Sequence, residues 1–173
     1  MDLIVLRLLH IGAGAFWVGA VLTFFLFVQP AAVAVGPEAM KFTYQLIHHR
    51  GLPAVILAAA AVTVLAGILL LAITSNGFDP DLLFATSRMG FTVGGVVAIL
   101  TFGIGALYVF PRTRTVEQTL GRLLAESRSP SPDEQQLLGR VARESRRAGW
   151  VVLLGLVVAT VAMATARYWS LFL

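Results

Sequence analysis

Within the apolar runs of this sequence, the residue best suited to chemistry is His10, about seven residues into the first run. An ionisable side chain inside a membrane is costly and is a functional candidate by default. Neutral imidazole is a good ligand for haem iron and for copper. His10 shares one helix face with Gly14, Trp17 and Val21, which follow at spacings of about four, three and four residues. We therefore predict a haem or copper site at His10, with Gly14 leaving room for a flat macrocycle over the backbone.

Four more residues could complete such a site. Met163, near the end of the last apolar run, offers a soft sulfur at a similar depth. Arg7, Arg88 and Arg167 lie at the ends of apolar runs, where they could bind haem propionates through charge-assisted hydrogen bonds. The sequence thus predicts His10 and Met163 as ligands, with three arginines around the cofactor.

Each of these residues also has a structural alternative. His10 could instead form a hydrogen bond to a neighbouring helix through Thr92, Thr160 or Thr165. Met163 could simply fill space between helices. Arginines near the ends of spans commonly anchor the chain at the membrane interface.

A second cluster, His48 and His49, follows the first apolar run by some twenty residues. At helical rise it lies roughly 20 Å or more from His10, so the two sites are predicted to be separate. Adjacent residues on a helix point about 100° apart, which makes the pair a poor chelate. The pair is either part of an interfacial polar segment or a separate metal or haem site, such as a transfer station.

The elements that position these residues follow from the composition. Of the 173 residues, 58% are hydrophobic and 13% are charged, with a mean hydropathy of +0.84. A soluble domain is about 45–50% apolar and roughly 25% charged, so the bilayer is the expected solvent. The sequence has no cysteine, which excludes disulfides, thiolate metal sites and iron–sulfur clusters. Nucleic-acid binding is not expected, because no recognition motif accompanies the basic residues.

The chain is predicted to form a single all-α membrane domain, residues 1–173, built as a four-helix bundle. The first apolar run is expected to be retained as a helix, because its core is too long for a signal peptide. Each run has the roughly 20 residues needed to cross the hydrocarbon layer. The four predicted spans are Leu3–Val28, Leu52–Thr74, Met89–Phe110 and Trp150–Trp169.

The basic residues predict the topology. Ten of the thirteen Lys and Arg residues lie in the first and third loops. The positive-inside rule places these loops in the cytoplasm and both termini outside, in a bacterial-type inner (plasma) membrane. Anionic lipids of the inner leaflet are the expected partner of the basic loops, with docking of a membrane protein or a second copy as the alternative.

The third loop, residues 111–148, is predicted to form a cytoplasmic helical hairpin that extends helices 3 and 4. Ser131, Pro132 and Glu134 form the N-cap, first position and capping-box partner of its second helix. A shorter interfacial helix is predicted over Pro37–Arg50. Within the membrane, Gly90 and Gly94 form a small-xxx-small pair that favours close helix packing.

Two parts of the chain resemble a known family. In the first apolar run, Leu9-His10-Ile11 followed by Phe16-Trp17-Val18-Gly19 resembles the first helix of the CopD-like copper-resistance membrane proteins. Toward the end of the chain, Arg146-Arg147-Ala148-Gly149 and Met163-Ala164-Thr165-Ala166-Arg167-Tyr168 resemble the last helix of small CopD-related proteins of unassigned function. The Leu-His and later Trp are also similar to the first helix of the HemJ-like proteins. The resemblance implies a four-helix membrane bundle that handles copper or haem, with His10 as the residue carried over. The chain departs from these families in lacking a multi-histidine outer loop and an intramembrane lysine.

Together these patterns predict a membrane protein that binds b-type haem, or else copper, through His10 for electron transfer or cofactor handling. The alternatives are a non-catalytic subunit or assembly factor of a larger complex, and a small transporter. Whether the chain is an enzyme stays open. Hydrolysis is not indicated, because no Ser/His/Asp arrangement and no paired acids occur within a span.

Overall fold

The computed structural model describes residues 3–171, and this part of the chain is helical with short turns and no strand. Four of its helices are long and apolar enough to cross a membrane. The helices are α1 Leu3–Val35, α2 Ala39–Tyr44, α3 Leu52–Thr74, α4 Pro80–Leu83, α5 Met89–Ala125 and α6 Pro132–Thr165. The predicted all-helical class and the presence of four long apolar helices are confirmed.

The long helices pack as two pairs, α1 with α3 and α5 with α6. The starts of α1 and α5 and the ends of α3 and α6 lie at one end of the bundle, which we call the Arg88 end. At the centre of the bundle, α1, α3 and α6 meet in a cluster of buried side chains. The cluster consists of Trp17, Val21, Ala60, Val152, Leu153 and Leu156. Because Trp17 is only 4% exposed there, it stabilises the bundle core.

Helices α1 and α5 both run beyond the spans that hydropathy predicts, and both continue through a proline. The helix α1 was expected to end at Val28 but extends to Val35, across Pro30. A proline clashes with the carbonyl one turn earlier and lacks an N–H, which normally breaks a helix. Here a π-helical turn, Phe24–Val28, comes just before Pro30 and opens the helix locally. A second π-helical turn, Gly105–Val109, precedes Pro111 in α5.

Beyond the predicted spans, α5 and α6 continue as an antiparallel hairpin. Ser131 and Glu134 form the predicted capping box, with Pro132 in the first turn of α6. The Arg112 guanidinium lies 3.0 Å from the Glu144 carboxylate, so an ion pair joins the two arms. We call this side of the molecule the hairpin end.

The seam between α5 and α6 depends on glycine. A Cβ added at Gly90 would lie 2.6 Å from the carbonyl oxygen of Ala162 and 2.7 Å from the Cα of Ala166. At Gly94 it would lie 2.7 Å from Cγ of Met163. The two helices therefore approach each other at the predicted small-xxx-small pair, closer than any larger residue permits.

Candidate functional site

His10 lies in the seam between α1 and α3, where its imidazole contacts the backbone of the neighbouring helix. The Nδ1 atom is 2.8 Å from the carbonyl oxygen of Thr63. Gly67 follows Thr63 by one helical turn, and a Cβ there would lie 2.9 Å from Cε1 of His10. The missing side chain at Gly67 thus opens the Thr63 carbonyl to the imidazole, which fixes the orientation of the ring.

This hydrogen bond determines which ring nitrogen is free. A carbonyl oxygen only accepts hydrogen bonds, so Nδ1 is the donor. In neutral imidazole, Nε2 then keeps its lone pair. The Nε2 atom has no hydrogen-bond partner among residues 3–171, and it is not among the fully buried unsatisfied atoms there. His10 therefore presents a ring nitrogen without an internal partner on an imidazole that a hydrogen bond orients, and metal-ligating histidines are oriented in this way.

The space that was predicted over Gly14 is occupied by α3. A Cβ at Gly14 would lie 3.3 Å from Cγ2 of Thr63, and Trp17, further along the same face, is buried in the core. This face of α1 is a helix–helix contact along its length. A macrocycle therefore does not fit over Gly14 within one copy of the bundle, and a ligand of His10 has to approach Nε2 from outside the seam.

Arg7 is the predicted arginine that lies on the same helix as His10. It lies three residues before His10, so the two side chains share a face of α1. Its side chain is exposed and has no ion pair within the described part of the chain. A cation free of internal partners, one turn from an accessible imidazole, suits an anionic group on the same ligand.

The other predicted ligands have different partners. Met163 packs against Gly94 in the α5–α6 seam, whereas His10 contacts α3. Arg88 donates a hydrogen bond to the carbonyl oxygen of Thr74 at the end of α3. Arg167 lies over the ring of Tyr168, 5.3 Å from its centroid. The topology brings these residues to the Arg88 end, but the described contacts do not join them to His10.

The second histidine pair belongs to a separate cluster at the hairpin end. Nδ1 of His48 is 2.7 Å from Oε1 of Glu117 on α5. The His48 ring stacks on Tyr44 with 4.9 Å between centroids, and His49 meets both rings edge-on. A Cβ at Gly121 would lie 3.1 Å from the Tyr44 ring. The cluster thus docks the predicted interfacial helix onto α5.

These contacts include residues that the sequence did not single out: Thr63, Gly67 and Glu117. The Thr63 group is a backbone carbonyl, which no residue type identifies in advance. Gly67 was the one available signal, as an isolated glycine in a run of large aliphatic residues. Across residues 3–171, no group of three or more His, Asp or Glu side chains is arranged to hold a metal ion.

The chain matches no protein-family model, and no curated protein or solved structure matches it significantly.

Proposed function

We propose that this chain is a multi-pass membrane protein that binds one b-type haem through His10, for electron transfer or cofactor handling. The observation that supports it is the hydrogen bond from Nδ1 of His10 to the Thr63 carbonyl. That bond holds the ring in place and leaves the Nε2 lone pair for a ligand. Haem, when bound, supplies one-electron redox chemistry.

Haem suits this site better than copper does. A haem iron already has four porphyrin nitrogens, so a single imidazole suffices to anchor it. A copper ion draws its ligands mainly from side chains, and among residues 3–171 no group of three or more His, Asp or Glu side chains is arranged to hold a metal ion. Arg7 would hold a propionate one turn away, and Met163, Arg88 and Arg167 would have no direct part.

The proposed topology follows from charge. With ten of thirteen Lys and Arg residues in the first and third loops, the hairpin end would face the cytoplasm of a bacterial-type inner membrane. Both termini and His10 would then lie toward the outer face. A cofactor there would exchange electrons with partners on the outer side.

The test is an absorption spectrum of the detergent-purified full chain, oxidised and reduced, before and after incubation with haemin. We expect a Soret band and reduced α and β bands, lost in His10→Ala and retained in the matched control His48→Ala. Weaker haem retention is expected in Arg7→Gln. Absence of a Soret band after incubation, or an unchanged band in His10→Ala, would falsify the proposal.

The alternative function is a non-catalytic subunit or assembly factor of a larger membrane complex, in which His10 would have a purely structural role. The contacts of His10 with Thr63 and Gly67 are also those of a purely structural link between α1 and α3. In that case His10→Ala lowers the thermal stability of the purified chain without any spectral change. Stoichiometric partners would then co-purify with the protein from its native membrane.

A further inference from the structure

The arginines of the hairpin fall into two groups that differ in their partners. Four of them, on α5 and in the turn, pair with carboxylates at 2.5–3.6 Å. These are Arg112 with Glu144, Arg114 with Glu117, Arg122 with Glu134, and Arg128 with Glu126 and Glu134. Their charges are largely neutralised inside the hairpin.

The other four arginines, all on α6, have no acidic partner within residues 3–171. We call them the free arginines: Arg140, Arg143, Arg146 and Arg147. All four are exposed. At about 100° per residue they fall within an arc of roughly 120° on one side of α6. The opposite side carries the buried Val141 and Ala148.

Further along α6, the side of the helix that carries the free arginines carries exposed apolar side chains. Trp150, Leu154, Val157 and Val161 fall within the same arc by the same angular count, and each is 45–60% exposed. In a membrane, exposed aliphatic side chains on a spanning helix face lipid. The arginines therefore extend a lipid-facing stripe, with the amphipathic Trp150 at the point where a membrane interface is expected.

The distances along α6 match the thickness of a headgroup layer. Arg146 and Arg147 lie about 4–6 Å from Trp150 along the helix, and Arg143 about 10 Å. The polar layer of each leaflet is about 5–8 Å thick. Arg140, about 15 Å away, lies within about one Debye length of that layer. Two arginines thus reach phosphates directly, and two act from the adjacent water.

An open groove with mainly apolar walls lies beside Arg147 and offers a surface for part of an acyl chain. It has a volume of about 370 Å³ and runs between α5 and α6 at the hairpin end. Ile104, Ala148 and Val151 give it apolar walls, and Arg147 lies at its charged rim. The carboxylate in the groove, Glu144, is already paired with Arg112. An anionic headgroup at Arg147 therefore meets no unpaired acid.

We propose that the free arginines and this groove form a binding surface for anionic phospholipid headgroups in the leaflet on the hairpin side. This inference is independent of any cofactor at His10. It goes beyond a general attraction of the basic loop to the membrane, because it assigns the interaction to the four arginines of α6 and not to the arginines of α5 and the turn, which are paired with carboxylates.

The test compares two variants that remove the same number of charges. The full chain is reconstituted into vesicles of phosphatidylcholine and phosphatidylglycerol, and spin-labelled lipids report the preference for phosphatidylglycerol next to the protein. In Arg143→Gln/Arg147→Gln we expect the preference to fall at least about threefold. The matched control, Arg114→Gln/Arg122→Gln, loses two paired arginines and should retain most of the preference.

A charge-preserving variant separates the effect of lost charge from the effect of misfolding. Arg143→Lys/Arg147→Lys should retain at least half of the preference, and added salt should weaken the preference in the wild type. Equal losses in the two glutamine variants, no preference in the wild type, or a lysine variant as weak as its glutamine counterpart would each overturn the assignment to α6.

Discussion

The imidazole of His48 and the carboxylate of Glu117 meet at 2.7 Å between Nδ1 and Oε1, and this contact joins two segments that lie 69 positions apart in the chain. The Glu117 side chain is only 14% exposed, and its second oxygen pairs with Arg114. The contact thus fixes the segment between α1 and α3 against the first arm of the hairpin.

The coupling between His48 and Glu117 can be measured with a double-mutant cycle. Because the His48 side chain is 47% exposed, we expect His48→Ala and Glu117→Gln to interact by about 0.5–1 kcal/mol in thermal unfolding of the detergent-solubilised chain. The same cycle with His49→Ala, a residue that makes ring contacts only, should give a coupling near zero. Equal couplings for the two histidines would contradict the assigned contact.

The α5–α6 seam should tolerate no side chain at Gly90. In Gly90→Ala the new Cβ would meet backbone atoms of Ala162 and Ala166, which cannot rotate away, so the helices must separate. We expect a loss of about 1–3 kcal/mol in unfolding free energy. The matched control is Gly95→Ala on the same helix, where nothing lies within 4 Å. Its stability should be unchanged or slightly raised, because alanine favours helix.

The position of the His10 ring should depend on Gly67. A Cβ at Gly67 forces the imidazole away from the Thr63 carbonyl, so Gly67→Ala should cost about 1 kcal/mol. In a His10→Ala background the same substitution should cost much less, since the obstructed ring is gone. Gly12→Ala, which has open space around it, serves as the control. Additive effects of Gly67→Ala and His10→Ala would show that the ring and the glycine do not interact.

Lowering the pH should destabilise the first turn of α6, because Glu134 becomes protonated. Glu134 lies in the hairpin, outside the predicted spans. The hydrogen bonds from Arg128, and then that from the Ser131 N–H, lower the pKa of Glu134 from 4.5 to about 2. A carboxyl whose pKa is lower in the folded state than in the unfolded state stabilises the fold at pH values above its unfolded-state pKa. This stabilisation is lost as the pH falls through its folded-state pKa. The stabilisation is therefore present above about pH 4.5 and lost toward pH 2.

Hydrogen exchange in the first turn of α6, corrected for the intrinsic effect of pH, measures this loss. We expect faster exchange between pH 4.5 and 2 in the wild type, and fast exchange already at neutral pH in Glu134→Gln. Asp133→Asn, in the same turn, should behave like the wild type. A pH-independent rate in the wild type would rule out this role of Glu134.

Local signals made part of this fold predictable. The four spans follow from hydropathy alone, and the capping box of Ser131 and Glu134 is encoded within four residues. The passage of α1 through Pro30 was not predictable in the same way. Whether a proline ends a helix depends on the turn before it, and no residue in Phe24–Val28 marks a π-helical turn.

The site was less accessible to sequence reasoning than the fold. His10 was identifiable as an ionisable residue in an apolar run, but the hydrogen-bond partners considered for it, as the alternative to a cofactor, were Thr92, Thr160 and Thr165. The actual partner is a carbonyl oxygen of α3. Partner choice between helices depends on their rotation and separation, which long-range packing determines and which the pattern of a single helix does not contain.

The π-helical turn at Gly105–Val109 has a consequence for α5 as a whole. Such a turn accommodates one residue more than a regular α-helix would, so everything after it is rotated by about 100° relative to the part before. This offset lets one continuous rod present Gly90 to α6 in one half, and Glu117 to His48 in the other. Deleting a single residue from the turn would leave both halves of α5 helical but rotate them relative to each other, so that Gly90 and Glu117 could not both face their partners.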